Sequence, residues 1–481
     1  MTKNKSQITQ HNRSDIICSG PRFKDTQSIS QNRFIFLILL SVAMGFINYI
    51  NADRQVQIQN GIYPNSDNKN QSGYEINFQW IEIWCNLPNC FFTPLILGYL
   101  SDFISIQYLL NFTSIVQLFS TIFLYLYYCS GYVQFYVLSR IFFSISNEGL
   151  QNATFNLVYE YSNMYKCESK YFSLHSIFGY NIQRILPYIF ALVYNQSPET
   201  KQAIYDNQPA FYSQYLVFNL ISCIIMAFIN KKNQIKERNE EQLDPAFLVA
   251  RIAPQQKFSF YEALTYIFKQ NSFFTQQCLI GGITLGFTSF YFQSNGLISS
   301  MIKECGFELY MEINFSTKGF TQISAFVFLY FIGKRMDDYG KKFKFYLFWY
   351  CIIGLAALNI FLNLIYFFSN QIIINVIVYI FLFFIGLQYY CSFMAMNSII
   401  FWYNQWFQRG MGYGLFSCSF NTFSTVSTLI TIYYADKYPV PLSIIIMIAI
   451  IFIILIFKYF QINKIKIQKE SPSMQRQEQN N

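Results

Sequence analysis

Gly98-Tyr99-Leu100-Ser101-Asp102 closes one long apolar run of the chain. Gly333-Lys334-Arg335-Met336-Asp337-Asp338-Tyr339-Gly340-Lys341-Lys342 closes another. Each string reads Gly-x-x-x-Asp, one in each half of the sequence, and each falls between two stretches long enough to cross a bilayer. The second copy continues to Gly340 and the basic pair Lys341-Lys342. A short signature repeated at matching places in an apolar chain points to two related halves.

Composition agrees with a membrane class. Hydrophobic residues are 53% and charged residues 12%, against about 25% charged in a soluble domain. A span needs about 20 apolar residues. Twelve such runs are readable, at 34–50, 78–97, 108–129, 134–156, 171–194, 211–230, 273–298, 313–332, 343–368, 372–400, 411–434 and 440–460. The first is short, ending before Asn51 and Asp53, and the seventh is interrupted by Gln276, Gln277 and several glycines. The polar, charged segment 231–270 divides the runs six and six. The expected fold class is therefore an all-α membrane protein, twelve transmembrane helices in two six-helix halves. The expected domains are a disordered tail 1–33, a first bundle 34–230, a linker 231–270, a second bundle 271–460 and a tail 461–481.

Basic residues set the orientation. With both tails inside, the inner segments hold 26 Lys and Arg and the outer ones 6, Arg54 among the latter. Both termini are expected in the cytoplasm, at the plasma membrane or an intracellular membrane. The net charge of +9 is then a topology signal. No soluble domain carries a basic patch, so nucleic acid is not an expected partner. The expected partners are a small-molecule solute and the lipid bilayer, with the chain acting as a monomer. The eleven cysteines are scattered with no metal spacing, and only His11 and His175 exist. No metal site and no cofactor are expected.

Charged side chains inside the spans carry the chemistry, because each costs a few kcal/mol unless paired or facing water. Glu82 falls in the second span, Arg140 and Glu148 in the fourth, and Arg184 in the fifth. Arg140 and Glu148 are eight residues apart, which places them on one helix face. Glu148 and Arg184 both come near the midplane from adjacent helices. They either line a solute path or form a buried ion pair that fixes packing. In an apolar setting Glu148 would exchange a proton with solvent near neutral pH.

The repeated Gly-x-x-x-Asp string resembles the loop motif of the major facilitator superfamily. The family carries it between its second and third helices and again between its eighth and ninth. The fourth span is similar to that of the organic cation, anion and zwitterion branch: Arg140, Gly149 and Glu160 hold that branch's spacing, and Arg409, Gly412 and Gly414 match the opening of its eleventh helix. The resemblance implies a major facilitator fold and gating roles for Gly98, Asp102, Arg140, Glu160, Gly333, Asp337, Gly340, Lys341, Lys342 and Arg409. In the family each motif Asp caps or pairs with a helix end in the opposite bundle. Gly333 and Gly340 are expected to let a tight loop bend. Glu160 has Arg409 and Lys166 as candidate partners. The position twelve after Arg409, which helps set substrate charge in that branch, is the neutral Asn421.

The chain departs from the pattern after Asp102, where Phe103, Ser105, Ile106 and Gln107 replace the basic residues and glycine of the motif. The first gate is therefore expected to carry a thinner charge network. Among the aromatics, Tyr180, Tyr389, Tyr390, Trp80 and Trp84 are candidates to line a cavity and meet a cation through a ring face. The substrate-binding candidates are Glu148, Arg184, Asn421, Tyr180 and Tyr390. No nucleotide-binding loop and no nucleophile–base constellation occurs, so neither an ATP-driven pump nor an enzyme is expected. The expected function is alternating-access transport of a small organic solute, a cation or zwitterion before others, facilitated or proton-coupled. The alternatives are a transporter-shaped receptor without flux and a sugar porter.

Overall fold

The structure is a computed structural model. It describes residues 31–59, 78–104, 106–163, 167–182, 208–243, 259–270, 272–293, 295–307, 313–403 and 409–434, with isolated positions between 185 and 189 and beyond 434. Regular structure among the described residues is entirely helical. In the first half the helices are α1 (Gln31–Gln59), α2 (Phe78–Phe91), α3 (Thr93–Phe103), α4 (Ile106–Ser130), α5 (Val133–Asn163), α6 (Glu168–Ser176) with a π-helical turn at Ile177–Asn181, and α7 (Gln208–Leu243). They continue as α8 (Phe260–Gln270), α9 (Ser272–Gln293), α10 (Asn295–Glu304), α11 (Ile313–Leu362), α12 (Gln371–Tyr403) and α13 (Arg409–Tyr434).

Among the described residues, five helical stretches are long and apolar enough to cross a membrane: Phe34–Arg54, Ile106–Ser130, Ala210–Ile229, Tyr346–Phe367 and Gln371–Ile400. Most of the other expected spans lie in helices that carry charge or are broken by proline. The last expected span, 440–460, and the end of the fifth fall largely outside the described residues. Two seams join the halves. The α2–α3 pair packs along α13, and α6 packs along α11. These pair the second expected span with the eleventh and the fifth with the eighth, as a duplicated chain requires.

Two expectations need correction. First, α1 runs through Asn51 to Gln59, so Asp53 and Arg54 are buried in the first half rather than lying in an outer loop. The helix continues because both charges find partners: Tyr215 donates to Asp53, and Arg54 pairs with Glu82. Second, residues 333–342 remain helical, so the chain turns without the open loop that Gly333 and Gly340 suggested. The reversal itself is real. Gly386 touches Thr321 and Gly354 touches Gln388, yet Thr321 and Gly354 would stand about 50 Å apart in a straight helix. Part of the linker before α9 is helical, and α8 opens with a capping box. There the Glu262 N–H donates to Ser259 Oγ at 3.3 Å and the Ser259 N–H to Glu262 Oε2 at 2.8 Å. That pairing satisfies two free N–H groups at the helix start and holds the Glu262 carboxyl below its usual range.

Candidate functional site

The site begins with a proline. Pro94 has no N–H, and α2 and α3 break at Phe92 between Pro88 and Pro94. Carbonyls at the break lose their helical donors, and side chains of α13 replace them. Thr422 Oγ1 donates to the Cys90 carbonyl at 2.9 Å, Asn421 Nδ2 reaches the Asn89 carbonyl at 3.4 Å, and Cys418 Sγ meets the Phe91 carbonyl at 3.6 Å. The kink therefore turns polar backbone toward the opposite half at the middle of α13.

Glu148 meets the same surface from halfway along α5. Its Oε2 accepts the Ser417 hydroxyl at 2.6 Å, and its Oε1 accepts Asn421 Nδ2 at 2.9 Å. Glu148 is 4% exposed and Asn421 9%. Among the described residues no cation lies within ion-pair distance of Glu148. The expected neighbour Arg184 lies outside the described residues. Glu148 and Asn421, singled out separately in the sequence, thus form one cross-half cluster. Ser417 was missed, although it stands one helical turn before Asn421 on the same face.

One turn further along both helices, Tyr413 donates to Gln151 Oε1 at 3.0 Å. Aromatic rings then close the space. Phe155 stacks on Tyr180 with centroids 6.2 Å apart, and lies 5.7 Å from Tyr413 and 6.1 Å from Phe393. Tyr180 and Tyr390 are both buried in the core cluster that contains these rings. Trp84 does not line this space, being 65% exposed. Trp80 packs at 5.8 Å on Tyr433 at the far end of the α13 seam. His175 is structural, with Nδ1 2.9 Å from Ser41 Oγ.

Beyond the rings, each motif aspartate grips a helix of the other half. Asp102 accepts the Gly410 and Met411 N–H groups at 2.7 and 2.9 Å, the free donors at the start of α13. Asp337 accepts the Ser169 and Lys170 N–H groups at 3.0 and 2.8 Å, at the start of α6. A carboxylate there satisfies orphan donors and complements the positive end of the helix. Gly98 and Gly410 touch backbone to backbone, and Gly333 lies against Ser169 and Ser173. The glycines serve close approach between halves; bending is not their role at Gly333.

The two clasps are unequal. Lys344 reaches Glu168 at 2.9 Å and Asp337 at 3.3 Å, so the second clasp holds a buried ion network. Neither Glu168 nor Lys344 was read as a site residue. The position equivalent to Lys344 beside Asp102 is Leu109, seven residues on. Burial pushes the Asp102 carboxyl up to about 7, opposed by its two N–H bonds and by Arg409. Arg409 itself lies over the Tyr159 ring at 4.5 Å. Gly340 lies within the helical turn, while the side chains of Glu160, Lys341 and Lys342 fall outside the described residues.

At the end of the first half opposite the clasps, Arg140 pairs with Glu82 Oε2 at 2.6 Å. Arg54 and Tyr136 both donate to Glu82 Oε1. This assigns Arg140 to an ion cluster within one half, away from the clasps.

The family model of the Major Facilitator Superfamily matches residues 33–401. The chain belongs to that superfamily. It is thus an integral, multi-pass membrane protein of a transporter family rather than an enzyme family, and its partner is a small molecule crossing a membrane. The fold is similar to a crystal structure of FucP, a superfamily transporter, in the outward conformation: TM-score 0.61 at 14% identity, covering 89% of this chain and 98% of that one. A second structure, of the E. coli fucose:proton symporter FucP, matches with a TM-score of 0.56 at 15% identity over 89% of this chain and 98% of that one. The human organic anion transporter MFSD10 (TETRAN) matches with a TM-score of 0.59 at 10% identity, over 89% of this chain and all of that one (100%). No curated protein sequence matches the chain.

Proposed function

We propose that this superfamily member carries a small organic cation or zwitterion by alternating access, and that Glu148 is the group in the path that takes the cargo's positive charge or a proton. The observation that carries this reading is the position of Glu148: a buried carboxylate without a cation among the described residues, held only by Ser417 and Asn421 of the other half. A carboxylate in that setting favours a cation or a proton over an anion. Because its partners belong to the opposite half, any change in its charge alters the contact between halves. That is the differential affinity alternating access needs.

In this reading the Asp102 and Asp337 clasps close the cytoplasmic end, a placement that rests on the basic residues around Asp337. The halves are 34–230 and 271–460, joined by 231–270, with tails 1–33 and 461–481 in the cytoplasm. Tyr180 and Tyr390 belong to the aromatic floor beneath the cargo, and Arg184 is a second candidate contact from the fifth span. Glu160, Lys341, Lys342 and Arg409 act at the clasped end. Thermal unfolding against panels of organic cations, zwitterions, anions and sugars tests the substrate class. Stabilisation by cations or zwitterions supports it; stabilisation by sugars or anions alone refutes it.

A further inference from the structure

The helix α8 ends at Gln270, and α9 begins at Ser272. Thr275 Oγ1 of α9 donates to the Ile267 carbonyl of α8 at 2.8 Å. Along one straight helix those two positions would stand about 12 Å apart. The chain therefore turns sharply between them, and α8 lies at the mouth of the seventh expected span. Three faces of α8 meet different surroundings. Ala263 and Ile267 are buried in the core cluster. Tyr261 and Phe268 share a second face, seven residues apart, and are 76% and 45% exposed. Glu262 is exposed on a third. At about 100° per residue the three faces point about 120° apart.

The neighbouring helix α3 shows what covers the aromatic face. Phe92 and Ile96 are exposed and Tyr99 and Phe103 half-buried. Their spacing of three and four residues makes one outward apolar stripe. On a membrane-spanning segment such a stripe faces acyl chains. The Tyr99 ring lies 4.5 Å from Phe103 and 5.4 Å from Phe260, the first residue of α8. The lipid-facing stripe thus runs ring to ring from α3 onto α8. Phe260 touches the first half and Ile267 is tied to the second, so α8 bridges both at the end that carries Asp102. We propose that α8 is an amphipathic anchor docked on the bilayer surface at that end, with Tyr261 and Phe268 set among the headgroups and upper acyl chains and Glu262 in water. A helix of this kind lies in the plane of the interface with its apolar face buried about 5–10 Å. Tyrosine suits that depth, since its ring is apolar and its hydroxyl polar. The anchor fixes the segment between the halves to the membrane, whatever cargo the protein carries.

The test is spin-label accessibility of the full chain in proteoliposomes, with the other reactive cysteines replaced by serine. Labels are attached one at a time through Tyr261→Cys, Phe268→Cys and Glu262→Cys. Each aromatic substitution leaves the other anchor in place. Glu262→Cys keeps the Glu262 backbone N–H bond to Ser259 Oγ, and the free label in buffer sets the water reference if that variant does not fold. Molecular oxygen concentrates in the bilayer, while a charged nickel chelate stays in water. Labels at 261 and 268 are expected to collide more with oxygen and less with nickel than the label at 262. Nickel collisions at 261 and 268 as frequent as in the water reference overturn the proposal, because the face is then solvated. Few collisions with either reagent overturn it as well, because protein then covers the face, from a second copy or another segment of this chain.

Discussion

Asp337 of the second half accepts the Ser169 N–H at 3.0 Å, so a side chain of one bundle completes the first turn of a helix in the other. The clasp exists only while the halves touch at that end. Asp337→Asn keeps the shape but replaces one of the two accepting oxygens by an amide NH2, which cannot accept the N–H facing it. It is expected to weaken the clasped state by about 1 kcal/mol, the usual worth of such a cap. Spin labels at the exposed positions Ile104 and Tyr339, one on each half, would read this as a longer mean distance. Lys344→Gln is expected to do more, because it leaves Glu168 and Asp337 as two buried acids without their cation.

The Asp102 clasp gives a pH dependence with a defined sign. When clasped, burial raises its carboxyl from 3.8 to about 7. When released into water it returns toward the ordinary value. Between those values the clasped state binds a proton that the released state does not, so lowering the pH from about 7 favours the clasped state. Above about 7 the preference stops changing. Asp337, also raised by burial, acts in the same direction. The Ile104–Tyr339 label distance should therefore shorten from pH 8 to pH 5.5. Asp102→Asn should flatten much of that change.

Gly98 and Gly410 allow α3 and α13 to meet backbone to backbone. A methyl group on Gly410 would stand 3.0 Å from Asp102 Oδ1 and closer still to Ser101 Oγ. Gly98→Ala and Gly410→Ala should each hold the seam apart, at a cost of about 1–3 kcal/mol. The expected outcome is a lower unfolding temperature together with a longer label distance at the clasped end.

Ser417 donates to Glu148 at 2.6 Å from the far side of the interface. Ser417→Ala removes one of two protein donors to a buried carboxylate, at an expected cost of about 1–3 kcal/mol. If Glu148 takes a cation or proton from the path, the variant should also bind the cargo or proton more tightly. Equilibrium binding of the stabilising ligand over a range of pH reads that change.

The clasps were legible in the sequence because Gly-x-x-x-Asp recurs, and both aspartates cap helices of the opposite half. Asn421 was legible by counting from Arg409. Ser417 was not, since a serine in an apolar helix carries no signal until the carboxylate facing it is known. Arg54 was misplaced for a similar reason. A charge at the edge of a hydrophobic run reads as a loop, and only the meeting of α1, α2 and α5 shows that Glu82 awaits it. The unbroken helix through 333–342 was hidden because glycine signals both a bend and a close contact. Here Gly333 serves the contact with Ser169 and Ser173.

The most direct measurement is uptake of labelled organic cations and zwitterions into proteoliposomes, with and without a pH gradient, for the unmodified protein and Glu148→Gln. Glutamine keeps an oxygen to accept from Asn421 or Ser417, so the variant should fold with little change in unfolding temperature. Saturable uptake that falls at least about tenfold in Glu148→Gln, the scale of one lost charged interaction, is the predicted result. Saturable uptake unchanged in the variant would contradict the role given to Glu148. No saturable uptake of either class by the folded, unmodified protein would contradict the transport of organic cations and zwitterions.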